Sequence, residues 1–297
     1  MRKTEAPERA IAVLDAPSNL GLRPPRPGAE PGCKKLAGAL REQGIVERLG
    51  AYDAGRLIAP PFSGEWDGKT VRNASGIARF SRDLAGRVEE LLEEGFFPLV
   101  LGGDCSILLG NMLALRKRGR FGLAFLDGHL DFRHPGNSEA VGAAAGEDLA
   151  LVTGRGGEEL ANLEGMKPLV REEDVVALGE RENDPETRDV LDTEITVLDL
   201  AAVRKVGVAG AARRAVERFE RNELDDEVMP AVDSPQPDGL IRKELIEMLK
   251  VLLASRLAVG MEVTIFDPDL DPAGKIASAF AHDLVAALAD GRPLLRP

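Results

Sequence analysis

FGLAFLDGHLDF, residues 121–132, is the stretch whose reading decides the fold. Its aliphatic run shows no polar alternation and stops at Asp127-Gly128-His129-Leu130-Asp131. Strands covered on both faces read this way, because neither face meets water. The same signature, ended each time by Gly, Pro or Asp, recurs in AIAVLDAP (10–17), FPLVLGG (97–103), DVVALGE (174–180) and EITVLDL (194–200), and RLAVGMEVTIF (256–266) completes the set. Helical patterns lie between these runs, at 76–95, 106–119, 211–222, 239–256 and 277–291. Alternating strands and helices predict an α/β chain with a doubly wound, mainly parallel sheet. No linker or low-complexity tract divides the chain, so residues 1–297 read as a single domain.

Composition narrows the partners. Aromatic side chains are 4% of the chain, so the core has to be aliphatic. The formal net charge of -12 repels phosphate backbones and anionic lipid, which argues against nucleic acid and membrane and leaves a small-molecule substrate. Two cysteines, Cys33 and Cys105, give no disulfide framework and fit a reducing compartment. MRKTEAPERA carries acids and a proline before any apolar run, so no secretory signal is expected. The apolar stretch 97–115 is broken by Gly102-Gly103-Asp104 and reads as strand, turn and helix rather than a membrane span. A cytoplasmic protein is expected.

In open α/β sheets ligands bind beyond the carboxyl ends of the strands, and there the chain places its most informative residues. Asp127, His129 and Asp131 occupy alternate positions directly after an apolar strand. In an extended segment alternate side chains share a face, so two carboxylates and one imidazole are expected to converge on one cation. That donor set suits manganese, iron or zinc. The competing reading is an Asp-rich turn at a strand end. A second motif, PLVLGGDCSILLG (98–110), runs from strand through a glycine turn into a helix. Cys105 sits where a helix N-terminus favours a thiolate. It reads either as a metal ligand or as a small buried residue.

These motifs resemble the arginase/agmatinase superfamily, the ureohydrolases, and most of all its actinobacterial branch. In that family a GGDH-S turn and a D-x-H-x-D strand end supply ligands to a two-manganese cluster; here they read GGDCS and DGHLD. The resemblance extends to LDAPSNLGLRPPRPGAEPG, VRNASGIARFSRDL, MPAVDSPQPDGL and GMEVTIFDPDLDP. It implies a three-layer α/β/α fold and hydrolysis of a C–N bond in a guanidino or amidine compound. It also implies a divalent metal at Asp127, His129, Asp131 and Cys105. Trimers and hexamers are usual in the family, which leaves a homo-oligomer open, without an interface signature in this sequence.

Three departures qualify what the resemblance implies. The family's histidine in GGDH is Cys105, whose thiolate shifts preference from manganese toward zinc or iron. The helix at 211–222 runs almost directly into Leu224-Asp225-Asp226-Glu227, so the chain is expected to lack one family strand near residue 224, together with its paired carboxylates. The family's histidine after D-x-H-x-D has no counterpart in NSEAVGAAAGED, and Glu262 falls at an acidic position as a structural or a catalytic acid. No catalytic or substrate-binding residue is assigned. Two alternatives follow: a single-metal amide hydrolase, and a non-catalytic paralogue that binds metal weakly or not at all.

Overall fold

The computed structural model of the protein describes residues 9–69, 71–139, 141–181, 185–221, 228–232 and 239–290, with the backbone alone for 185–187 and 228–232. Its strands are Ile11–Asp15 (β1), Tyr52–Arg56 (β2), Phe97–Leu101 (β3), Gly122–Leu126 (β4), Val175–Leu178 (β5), Thr196–Leu198 (β6), Val228–Val232 (β7) and Met261–Val263 (β8). They form one sheet in the order β2-β1-β3-β8-β7-β4-β5-β6, and every pairing is parallel. All carboxyl ends therefore open on one rim. The chain leaves β3 and re-enters the sheet at β4, and β8 and β7 later fill the place between them.

Ten α-helices among the described residues cover the two faces: Leu36–Glu42 (α1), Ile45–Leu49 (α2), Ala74–Glu93 (α3), Leu108–Arg118 (α4), Asp148–Val152 (α5), Glu158–Ala161 (α6), Leu200–Val206 (α7), Val208–Arg221 (α8), Arg242–Leu253 (α9) and Lys275–Asp290 (α10). The strand period of two sorts the sheet residues between them. Leu14, Val100, Leu123 and Phe125 pack with α3 to α6, whereas Val13, Leu99, Leu101, Ala124 and Leu126 pack with α1, α2 and α7 to α10. This is the three-layer α/β/α architecture.

Helix α3 shows why the elements form where they do. Ile77, Phe80, Leu84, Val88 and Leu91 recur at helical spacing and are all buried. Each contributes roughly 1.5–3 kcal/mol on leaving water. Gly95 ends the helix at φ 82, a left-handed value that a side chain would resist, and the Phe96 N–H returns to Leu91 O at 2.9 Å. No helix among the described residues is long and apolar enough to cross a membrane.

Two strands depart from the sequence reading. β2 is an edge strand with one buried residue in five, so it carries no apolar run to betray it. β7 corrects the expected gap near residue 224: Val228–Val232 pairs with β4 on one side and β8 on the other, so the sheet is continuous. The strand is hard to see in the sequence because it is short, follows a run of acids and contains Pro230, which cannot donate to the ladder. Asp225 and Asp226 lie outside the described residues.

Candidate metal centre

Strand β3 reaches the rim and turns sharply at Gly102-Gly103. A Cβ on Gly103 would lie 1.8 Å from Ser18 O, so only glycine allows the β1 loop to press against this turn. The turn is pinned from both sides: the Asp104 N–H donates to Ser18 O at 3.1 Å, and the Ile265 N–H donates to Gly103 O at 2.7 Å. The Asp104 carboxylate accepts from Ser18 Oγ at 2.7 Å and from the Ser106 N–H at 2.9 Å, which occupies it as a cap. Cys105 is held buried, its Sγ 3.8 Å from Thr264 Oγ1 just past β8.

Strand β4 ends at Leu126, and the chain then curls. Asp127 Oδ1 accepts the His129 N–H at 2.8 Å, closing an Asx turn, and Asp131 adopts a left-handed φ of 44. The outcome brings three groups together: Cys105, Asp127 and Asp131 each offer a ligand atom, all within 4.8 Å of one another.

His129 is not in that group, which corrects the expectation of three side chains sharing a face. A spacing of two aligns side chains only on extended backbone, and the Asx turn ends the extension at Asp127. The imidazole stands half exposed, its Nε2 3.0 Å from Arg181 Nη2 and its Nδ1 3.6 Å from Asp127 Oδ1.

Two acids stand beside the group: Asp148, which the sequence does not single out, and Glu262, which it offers as a structural or a catalytic acid. Asp148 heads α5 and is fully buried. Burial first, then the charges of Asp131, Asp127 and Glu262, raise its carboxyl well above the usual range. Glu262, on β8 beside Val100, accepts a hydrogen bond from Asn111 Nδ2 of α4. Burial pushes its carboxyl up to about 8, against the Asn111 bond and with help from the Asp104 charge. Glu262 stands out as the lone charge in AVGMEVTIF, and nothing sets Asp148 apart from the other acids of its stretch.

The donor set can be tested against a cation. One thiolate and two carboxylates converge on one point, which is the ligand count of a single ion with an open coordination position. The soft sulfur favours zinc or iron over manganese. The residues therefore fit one divalent ion; the group contains no further donor among the described residues.

A parallel sheet between two helical layers, with candidate ligand atoms beyond the carboxyl ends of its strands, defines an α/β/α protein. The profile of the arginase family matches residues 9–290, and the chain belongs to that family. It is 28% identical to the arginase of Bacillus caldovelox, over 91% of this chain and 95% of that one. Human arginase-1 is 25% identical, over 89% and 87%. The crystal structure of arginase from Bacillus subtilis superposes with a TM-score of 0.83 at 26% identity, covering 97% of this chain and 100% of that one. Formimidoylglutamase from Bacillus subtilis shares the fold, with a TM-score of 0.74 at 19% identity, over 96% and 87%.

Proposed function

We propose that the chain, as one domain over residues 1–297, hydrolyses a C–N bond in a guanidino or amidine compound. One divalent cation would be held by Cys105, Asp127 and Asp131. The observation that carries this reading is the convergence of those three ligand atoms within 4.8 Å, at the switch point of an arginase-family sheet. A cation bound there supplies Lewis-acid polarisation of the substrate and acidifies water. The protein's own groups do the rest. Asp127 and Asp131 would place negative charge around the ion, and the sulfur of Cys105 would favour a softer one. Glu262 keeps its proton on the carboxyl until about pH 8, so near neutrality it acts as a donor as well as an acceptor. Both cysteines are buried and no disulfide joins them, which suits a reducing compartment.

Urea or ammonia release from a panel of guanidino and amidine compounds, with zinc-, iron- and manganese-loaded protein, tests the reading. Turnover that vanishes in Asp127→Ala supports it. No turnover with any of the three metals, from protein that does retain metal, would overturn it in favour of the non-catalytic paralogue. His129, whose Nε2 faces Arg181 and which lies outside the group of three ligand atoms, is the observation that favours that second reading.

A further inference from the structure

Two polar side chains meet between the sheet and α4, in a place otherwise filled by aliphatic groups. Glu262 lies inside the sheet, its strand paired with Val100 of β3 on one side and Ala231 of β7 on the other. Asn111 is the only polar side chain among the buried residues of α4. Its Nδ2 donates to Glu262 Oε2. Its Oδ1 is buried with no hydrogen-bond partner among the described residues, so the bond to Glu262 is the tie that fixes the amide. An amide left out of water costs stability, and asparagine is a poor helix former. A leucine would fill the position more cheaply, so the pair calls for a role beyond packing.

The role is suggested by what else joins α4 to β8. Cys105 stands in the turn Cys105–Ile107 that leads into the helix, and its Sγ lies 3.8 Å from Thr264 Oγ1. Thr264 follows Glu262 by two residues, the spacing that keeps side chains on one face of a strand. The segment from Cys105 to Asn111, roughly 10 Å long, is thus attached at both ends to one short stretch of chain. The glycine turn ahead of it is held to the same stretch by backbone: the Gly102 N–H donates to Val263 O at 2.8 Å, and the Ile265 N–H to Gly103 O at 2.7 Å. That turn acts as a pivot. The hydrogen bond at Asn111 is the second fixed point, which stops α4 from rolling about it and carrying the sulfur away.

We propose that Asn111 and Glu262 are positioning residues, whose hydrogen bond locks α4 to β8 and so keeps the Cys105 sulfur aimed at Asp127 and Asp131. Its value to the reaction rests on the metal reading, whereas the hold on the sulfur can be measured without a metal. Zinc affinity is read by competition with a chromophoric chelator. Asn111→Leu is expected to weaken zinc about tenfold, as loss of a ligand's supporting partner does. Glu262→Gln is expected to keep zinc, because its carbonyl still accepts from Asn111 and it matches the protonated acid. In a Cys105→Ser background Asn111→Leu should add nothing, since both act through one atom.

The metal-free arm uses the thiols. Both cysteines are buried, so global opening exposes both, and Cys33 serves as its clock. Iodoacetamide labelling, followed peptide by peptide, should run about tenfold faster at Cys105 relative to Cys33 in Asn111→Leu, and at the wild-type ratio in Glu262→Gln. Should Asn111→Leu fail to fold by circular dichroism, Asn111→Leu combined with Glu262→Met carries the test, because removing both partners leaves no orphaned polar group. Zinc held equally by wild type and Asn111→Leu, an additive loss in the Cys105→Ser background, or an unchanged labelling ratio overturns the lock and leaves the metal reading standing. A raised ratio in protein that retains no zinc in any form sustains the lock and removes the metal reading.

Discussion

Cys105 and Asp127 present ligand atoms within 4.8 Å of each other, although β8 and β7 stand between the strands that carry them. Three strand spacings of about 4.8 Å put β3 and β4 roughly 14 Å apart. The turns past the strand ends close that distance, the glycine turn from one side and the Asx turn from the other. The site is thus made by two bends rather than by two strands.

The first prediction follows from the donors. Asp127→Ala should abolish retention of zinc measured by elemental analysis, because a carboxylate common to the group is lost. Cys105→Ser should weaken zinc about tenfold or more while changing manganese little, since the hard ion gains little from sulfur. Equal losses for both metals would show that Cys105 is only a packed residue.

His129 gives the second. Its ring faces Arg181 at 3.0 Å, so His129→Ala should leave zinc stoichiometry unchanged. Loss of zinc on a par with Asp127→Ala would mean that the ring swings inward when metal binds.

Glu262 predicts a pH dependence. Its carboxyl ordinarily titrates at 4.5 and here at about 8. Between these values the unfolded chain has released a proton that the folded chain keeps, so stability falls as pH rises, by at most about 1.4 kcal/mol per pH unit. The penalty is absent below the lower value and constant above the upper one. Glu262→Gln, which is neutral throughout, should flatten the decline of the urea midpoint of metal-free protein between the two. Asp148 shifts in the same direction and should leave a residual slope. An unchanged slope in the variant would refute the assignment.

Gly103→Ala is the fourth. The added methyl would meet Ser18 O at 1.8 Å, backbone against backbone, with no flexible side chain to yield. A loss of about 3 kcal/mol or more is expected in urea unfolding, within the range for forced backbone overlap. A loss below about 1 kcal/mol would show that the β1 loop can move aside.

Much of the fold was legible because strands covered on both faces must be aliphatic throughout. FPLVL and GLAFL have no buried-to-exposed alternation to blur them. Strands β2 and β7 were illegible for opposite reasons: one is an exposed edge, and the other occupies the sheet interior with a proline in it. At the site, Asp127, Asp131 and Cys105 could be picked by residue type, whereas the direction of His129 could not. That direction depends on a left-handed φ at Asp131 and an Asx turn at Asp127, which spacing alone does not encode.

The indole under Arg72 has a consequence of its own. Trp66 is the chain's only tryptophan; it is part-exposed, and the Arg72 guanidinium carbon stands 4.5 Å from its ring centroid. A guanidinium stacked on an indole perturbs its emission, so the fluorescence of this protein, excited selectively at tryptophan, comes from a single known place. Ligands that draw Arg72 away from the ring would announce themselves optically, without any label attached to the molecule.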